Sequence, residues 1–134
     1  MKTVFVDTNV ILRYVTSDVA PQAKRAKKWF LKASEEKYKA TVLHITLVEV
    51  LFLLEHWYKQ DKTVAADLLL LFVSPSWLDV PSRSAIVDAL QVYKQRSIDF
   101  VDILTWAIAK EERARIVSFD KHFDRLDPSV RIEP

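Results

Sequence analysis

Residues 4–9 read VFVDTN, and this stretch joins an apolar segment directly to an acidic one. Val4, Phe5 and Val6 favour a β-strand, whereas Asp7 and Asn9 are residue types that strands disfavour. An acid at the end of a buried strand has two interpretations. It caps the helix that follows, or it lines a crevice beyond the carboxyl ends of parallel strands, where sites form in open sheets.

The chain of 134 residues is half apolar, which is enough for one core, so we expect a single domain over residues 1–134. Its most apolar runs, residues 51–54 and 68–73, are much shorter than the roughly 20 residues of a membrane span. The apolar stretch before Asp7 is too short for the core of a signal peptide. We therefore expect a cytoplasmic protein that does not enter a membrane.

Two residue types are absent from the sequence, cysteine and glycine. Without cysteine there are no disulfides, no thiolate zinc sites and no cysteine nucleophile. Without glycine, neither the dinucleotide-binding turn nor the P-loop can be built. The net charge of +2 permits a nucleic acid as partner without arguing for one.

Short apolar segments alternate with segments of helical period along the chain. This alternation predicts an α/β protein with a parallel sheet covered by helices on both faces. We predict strands near residues 2–6, 41–45, 77–80, 115–118 and 130–132. We predict helices after Asp7 and at residues 21–38, 46–59, 64–73, 82–95 and 99–114.

Two of the predicted strands end in an acid, Asp7 and Asp120. A third acid, Glu49, lies on a helix whose neighbouring positions include Ile45, Phe52 and Leu53, so we expect its carboxylate on or beside an apolar face. A buried carboxylate is costly unless it is paired or bound to a metal. The alternative is a side chain whose stem is covered while its head reaches water.

Asp99 and Asp102 are three residues apart and share one face of a predicted helix, where like charges repel. The positive end of the helix dipole compensates in part. Asp99 is interpreted as the N-cap. Asp102 instead begins a helix that we expect to be largely buried.

Four carboxylates, those of Asp7, Glu49, Asp102 and Asp120, thus lie at the edges of apolar elements that a parallel sheet would bring to one end. Side by side they could not all stay ionised without a counter-charge. Oxygen ligands suit Mg²⁺ or Mn²⁺. The histidines at 44, 56 and 122 are scattered and are interpreted as structural.

Four short motifs in this order resemble the PIN domain, particularly the VapC-type toxins: D-T-N, T-x-x-E, D-F-x-D and S-F-D-x-x-F, at residues 7–9, 46–49, 99–102 and 118–123. The resemblance covers nearly the whole chain. It implies a three-layer α/β/α fold with a central parallel sheet of about four to five strands. A receiver domain would need paired acids after the first strand, and a haloacid-dehalogenase-like phosphatase would need an aspartate where Asn9 stands, so both fit poorly.

The resemblance also implies roles for particular residues. Asp7, Glu49, Asp102 and Asp120 would be the catalytic acids that hold Mg²⁺ or Mn²⁺. Asp99 would be auxiliary, as would the small polar residues beside the acids, which orient carboxylates or water: Thr8, Asn9, Thr46 and Ser118. Arg13 is a candidate for contact with RNA.

The function so implied is a Mg²⁺-dependent endoribonuclease that hydrolyses RNA phosphodiester bonds, the toxin of a type II toxin–antitoxin pair. A VapB-like antitoxin and a second copy of the chain are the expected partners, and the apolar run 68–73 offers surface for the second copy. The alternative is a non-toxin PIN domain that acts in RNA processing, or an inactive module that binds RNA or protein.

Overall fold

The computed structural model describes residues 1–35 and 37–134, which divide into two compact units, Met1–Pro81 and Ser82–Pro134. The first unit contains β1 (Lys2–Phe5), α1 (Thr8–Thr16), α2 (Ala20–Ser34), β2 (Tyr38–Thr41), α3 (His44–His56) and α4 (Lys62–Phe72). The second contains α5 (Arg83–Tyr93), α6 (Phe100–Glu111), β3 (Ile116–Val117), a short 3-10 helix (Lys121–Arg125) and β4 (Arg131–Ile132).

Both strand pairs are parallel. In the first unit β1 pairs with β2 from Lys2 opposite Tyr38 to Phe5 opposite Thr41, and in the second β3 pairs with β4. Helices alternating with parallel strands confirm the α/β class and the six predicted helices. Among the described residues the sheets have two strands each, so a single central sheet of four to five strands is not confirmed.

Two predicted strands need correction. The strand expected at residues 41–45 lies at Tyr38–Thr41, because Leu43 is already the N-cap of α3. The strand expected at residues 77–80 is replaced by one isolated parallel bridge between Thr41 and Asp79. The side chains of the same two residues are also joined, because the Thr41 hydroxyl donates a 2.7 Å hydrogen bond to the Asp79 carboxylate.

Two helix starts in the first unit follow ordinary sequence rules. Asp61 accepts a hydrogen bond from the backbone N–H of Thr63 and caps α4. Pro21 lies in the first turn of α2, where its missing N–H costs no helical bond. The N-caps of α2 and α3, Val19 and Leu43, make no side-chain capping bond.

Each unit has its own buried residues. In the first, the ring of Phe30 packs against Tyr14 and Phe72 with centroid distances of 4.5 and 5.7 Å, and joins α1, α2 and α4. In the second, α5 packs against α6, with Ile86 and Ile103 fully buried. A smaller cluster of that unit contains Ala109, Ile116, Phe123 and Val130.

Among residues 1–35 and 37–134, four occupy the left-handed backbone region that usually favours glycine: Ser17, Lys59, Ser82 and Arg113, with φ between 53 and 61°. Because the chain has no glycine, these turns are made by residues with a Cβ. Within the described ranges, no helix is long and apolar enough to cross a membrane.

Helix α4 offers a matched test of the core. Leu69 is 0% exposed and Leu71 is 73% exposed on the same helix. We expect Leu69→Ala to lower the free energy of unfolding by about 2–5 kcal/mol, because it removes buried methyl groups and leaves a cavity. Leu71→Ala should change it by less than about 1 kcal/mol. Urea unfolding of both variants checks this, and equal losses would contradict the assignment of the buried face.

Candidate metal centre

The second unit holds three side chains that could together bind a cation. The Nε2 atom of His122 lies 2.8 Å from Oδ2 of Asp102, and its Nδ1 atom lies 2.7 Å from Oδ1 of Asp120. One possible ligand atom from each residue can be chosen so that all three lie within 4.8 Å of one another. Asp102 and His122 are partly buried and Asp120 is exposed, so the cluster opens to solvent.

Local structure explains why these residues meet. Asp102 lies in the first turn of α6, where the helix dipole favours an anion. Asp120 caps the 3-10 helix by accepting a 3.3 Å hydrogen bond from the backbone N–H of His122. Phe123, the residue after His122, is buried in the small hydrophobic cluster that also contains Ile116. This packing fixes the 3-10 helix beneath the site.

Arg131 on β4 stabilises the same segment from its other side. Its guanidinium donates to both carboxylate oxygens of Asp124, at 3.1 and 3.2 Å, and to the carbonyl of Ser118 at 3.2 Å. The Asp124 carboxylate raises the pKa of Arg131 through these hydrogen bonds. The Ser118 hydroxyl also accepts from the backbone N–H of Asp120 at 2.9 Å. The segment that carries Asp120 and His122 is thus held at both ends.

The donor set of this cluster fits a divalent cation. Its possible ligand atoms lie within 4.8 Å of one another, so small side-chain movements bring them to the roughly 4 Å that separates ligands on opposite sides of Mg²⁺. Two carboxylates supply negative charge and the imidazole supplies one nitrogen. Such a mixed oxygen and nitrogen set suits first-row divalent metals as well as Mg²⁺.

In the first unit, Asp7 is the N-cap of α1 and accepts a 3.4 Å hydrogen bond from the backbone N–H of Asn9. The buried hydroxyl of Thr8 donates to Oε2 of Glu49 at 2.9 Å. The structure therefore ties the Glu49 carboxylate to the residue that follows Asp7. The capping interpretation of Asp7 and Asp120 is confirmed, and since a carboxylate has two oxygens, a cap leaves capacity for a further contact.

Glu49 is exposed, so its side chain follows the alternative interpretation, in which the carboxylate reaches water. Of the apolar neighbours named above, Ile45 is 67% and Phe52 57% exposed, whereas Leu53 is half-buried. The burial of α3 instead rests on Leu47, Val50, Leu51 and Leu54.

The remaining predicted residues lie around these groups. Asp99 is exposed and is the N-cap of α6, although its side chain makes no capping bond to the described part of the chain. Thr46 is half-buried in the first turn of α3, and Asn9 is exposed. The roles of all three as auxiliary residues stay predictions.

Arg13, the candidate for RNA contact, lies in a polar network of the first unit. Its guanidinium donates to Oε1 of Gln22 at 2.8 Å and to the Tyr58 hydroxyl at 3.0 Å, and it pairs with Asp18 at 3.4 Å. The Tyr58 hydroxyl in turn donates to Asp18 at 2.7 Å. This network joins the C-terminal half of α1, the start of α2 and the end of α3.

The same network shifts two pKa values. The hydrogen bond from Tyr58 is the main cause that lowers the pKa of the Asp18 carboxyl, with Thr16 and Arg13 acting in the same direction. Burial, followed by the hydrogen bond to Asp18, raises the pKa of Tyr58.

A cavity of about 580 Å³ lies next to Asp7 in the first unit. Its walls include the apolar side chains of Phe5, Val10 and Trp29, and Arg13 and Arg25 supply positive charge. Arg25 is exposed and places a positive charge beside Asp7, where it could meet a phosphate, whereas the charge of Arg13 is paired with Asp18.

His122 is the one member of the cluster that sequence reasoning set aside. It lies 20 positions from Asp102, a separation that no periodic pattern connects. The sequence does contain a local indication of its position: His122 lies two residues after Asp120, which caps the 3-10 helix, and directly before the buried Phe123. At this position its ring lies beside the Asp120 carboxylate.

Comparisons with known proteins give a consistent result. A sequence model of the family described as PIN domain matches residues 4–128. A protein named VapC ribonuclease, from Aquifex aeolicus (strain VF5), is 24% identical over 121 residues, which are 90% of this chain and 89% of that protein. No solved structure matches.

Replacing Tyr58 by Phe tests the network around Arg13. We expect Tyr58→Phe to raise the pKa of Asp18 toward its ordinary value of 3.8, because the strongest hydrogen bond to that carboxylate is lost. A carboxyl whose pKa is lowered by folding stabilises the fold above its unfolded pKa, and this contribution disappears as the pH falls through the folded value. Carboxyl NMR titration measures the shift. Tyr38→Phe is the control, and an unchanged Asp18 pKa in Tyr58→Phe would refute the network.

Proposed function

This chain belongs to the PIN domain family, and on that premise we propose that it is a metal-dependent endoribonuclease that hydrolyses RNA phosphodiester bonds. The observation that carries the proposal is the pair of carboxylates, Asp102 and Asp120, that the second unit holds around one imidazole in a geometry suited to a cation. The relative named VapC ribonuclease supports RNA as the substrate.

The proposal takes the carboxylates of Asp7, Glu49, Asp102 and Asp120 as ligands of Mg²⁺ or Mn²⁺. A bound divalent cation supplies the activation of water and the stabilisation of the leaving oxygen that phosphodiester hydrolysis needs. Because water is then the attacking group, no protein nucleophile is required.

The chain's own residues prepare this site. Thr8 orients the Glu49 carboxylate through its 2.9 Å hydrogen bond. Ser118 fixes the backbone at Asp120, and Arg131 holds the flanking carbonyl. The guanidinium groups of Arg25 and Arg13, which line the cavity beside Asp7, contact RNA phosphates in this proposal.

The proposal also includes the arrangement of the central sheet and the cellular role of the protein. Residues 1–134 form one PIN-like domain whose central parallel sheet has about four to five strands in three layers, which the family match over residues 4–128 supports. The protein acts in the cytoplasm as a toxin, and a VapB-like antitoxin blocks it. The support for this pairing is the VapC name of its relative.

A second candidate is a PIN domain without toxin activity, which acts in RNA processing or binds RNA or protein without cleaving it. Intact acids at all four proposed ligand positions favour the enzyme, since a module that only binds has no use for them. Cleavage of total RNA with Mg²⁺, compared with EDTA, separates the two. Growth arrest on expression, relieved by a small protein encoded next to this one, separates a toxin from a processing enzyme.

Single substitutions test the catalytic acids. We expect Asp7→Asn and Asp102→Asn to reduce RNA cleavage by at least about 100-fold, because loss of a ligand should cost more than loss of its supporting partners. Asparagine retains the N-cap at position 7, so folding is preserved while the charge is lost. Cleavage of a fluorescent RNA measures the effect.

The control for this experiment is Asp88→Asn, which removes an exposed carboxylate of α5 outside both clusters and should leave cleavage unchanged. Parental activity in Asp7→Asn would show that the first unit's acid is no ligand. Equal activity with Mg²⁺ and with EDTA would refute the whole proposal.

The expected dimer has a test of its own. Leu71 on α4 is 73% exposed, and an apolar side chain with so much exposed surface gains free energy by packing against a second copy. Light scattering at micromolar concentration should give twice the mass of one chain, and Leu71→Asp should give the mass of one. Val19→Asp, at the N-cap of α2 and outside the apolar pocket that Leu71 lines, is the control and should remain dimeric. A monomer mass for the parent protein would contradict the dimer.

A further inference from the structure

His122 lies between two carboxylates and contacts each with a different ring nitrogen. Nε2 faces Asp102 at 2.8 Å and Nδ1 faces Asp120 at 2.7 Å. Both ring nitrogens therefore lie within hydrogen-bond distance of a carboxylate oxygen, which places them within reach of a cation held by these two acids. A metal-ligating imidazole uses one nitrogen for the metal and keeps the N–H of the other for a carboxylate. The position of His122 between Asp102 and Asp120 meets both requirements.

The backbone, rather than a free rotation of the ring, puts His122 in this position. Its N–H is bound to the Asp120 carboxylate at 3.3 Å, and the adjacent Phe123 is 4% exposed within the core of the second unit. Two hydrogen bonds from Arg131 fix Asp124 two residues later. The ring is therefore preorganised at the cluster, as ligands of a metal site need to be.

We propose that His122 is a nitrogen ligand of the divalent cation, beside the carboxylates of Asp102 and Asp120, and that it makes this site prefer Mn²⁺ or Co²⁺ to Mg²⁺. The inference rests on the proposed function insofar as that function requires a cation at these acids. It goes beyond that function by adding one imidazole nitrogen to the carboxylate oxygens that bind the cation.

The preference follows from ligand chemistry. Mg²⁺ takes oxygen ligands and keeps much of its water, whereas imidazole nitrogen binds first-row transition ions more strongly. In the usual order of affinity, Co²⁺ exceeds Mn²⁺ at a given site with nitrogen and oxygen ligands.

Pulsed electron paramagnetic resonance of bound Mn²⁺ detects nitrogen ligands directly and needs no catalytic activity. The parent protein with one equivalent of Mn²⁺ should show coupling to ¹⁴N, and the pattern should change to that of ¹⁵N when only the histidines are labelled. The sequence has three histidines, so matched variants assign the signal. His122→Asn should abolish it, while His44→Asn and His56→Asn, both on α3 of the first unit, should retain it.

Calorimetric titration gives the second measurement. We expect His122→Asn to weaken Mn²⁺ binding by about 10- to 100-fold, in the range known for perturbed metal sites, and Mg²⁺ binding by less than about threefold. Circular dichroism confirms that the variant is folded. The labelling experiment on the parent protein does not depend on any variant.

The outcomes distinguish this inference from the proposed nuclease. Absence of histidine nitrogen coupling in the Mn²⁺ protein, or coupling that survives His122→Asn, overturns the role of His122 even if RNA is cleaved. Coupling that is lost in His122→Asn supports that role even if no RNA is cleaved. Equal loss of Mg²⁺ and Mn²⁺ affinity in the variant would overturn the metal preference.

Discussion

The carboxylates of Asp102 and Asp120 are brought close together in the second unit, with the imidazole of His122 between them. Like-charged carboxylates near each other repel unless a positive charge or a hydrogen-bond donor lies between them. The segment that carries Asp120 and His122 is also held by the burial of Phe123 and by the hydrogen bonds of Arg131 to Asp124 and Ser118. The rest of the site depends on this constraint, because a cluster that could relax apart would have no affinity for a cation.

In the first unit, the proposed metal ligands also take part in hydrogen bonds that stabilise the fold. Asp7 terminates a strand and starts a helix, so one residue serves the fold while one of its oxygens is left available. Thr8 then reaches from α1 to Glu49 on α3 and restrains an exposed side chain that would otherwise be mobile. Capping and ligation use the same property of a carboxylate, its ability to accept several hydrogen bonds or metal contacts at once. Such double use explains why both interpretations of VFVDTN fit the sequence equally well.

Sequence reasoning succeeded where local chemistry decides the structure. The helices were predictable because caps such as Asp7 and Asp61 and the apolar period are local signals. The short strands β3 and β4 lie within the predicted ranges 115–118 and 130–132, whereas the ranges 41–45 and 77–80 were wrong, because a helix begins at His44 and Asp79 makes only a single bridge. The exposure of Glu49 was not predictable from its neighbours, because an apolar neighbour indicates burial only if it is itself covered, and exposed Phe52 is not. His122 was missed because tertiary structure alone brings it to Asp102.

The left-handed turns at Ser17, Lys59, Ser82 and Arg113 carry a thermodynamic consequence for a chain without glycine. Each such residue adds roughly 1–2 kcal/mol of steric strain to the native state. A side chain with a Cβ also leaves the denatured ensemble fewer conformations than glycine would, which returns about 0.4–1 kcal/mol per position. The second effect offsets only about half of the first, so a polypeptide that dispenses with glycine keeps its tight reversals at a net loss of stability at each such position.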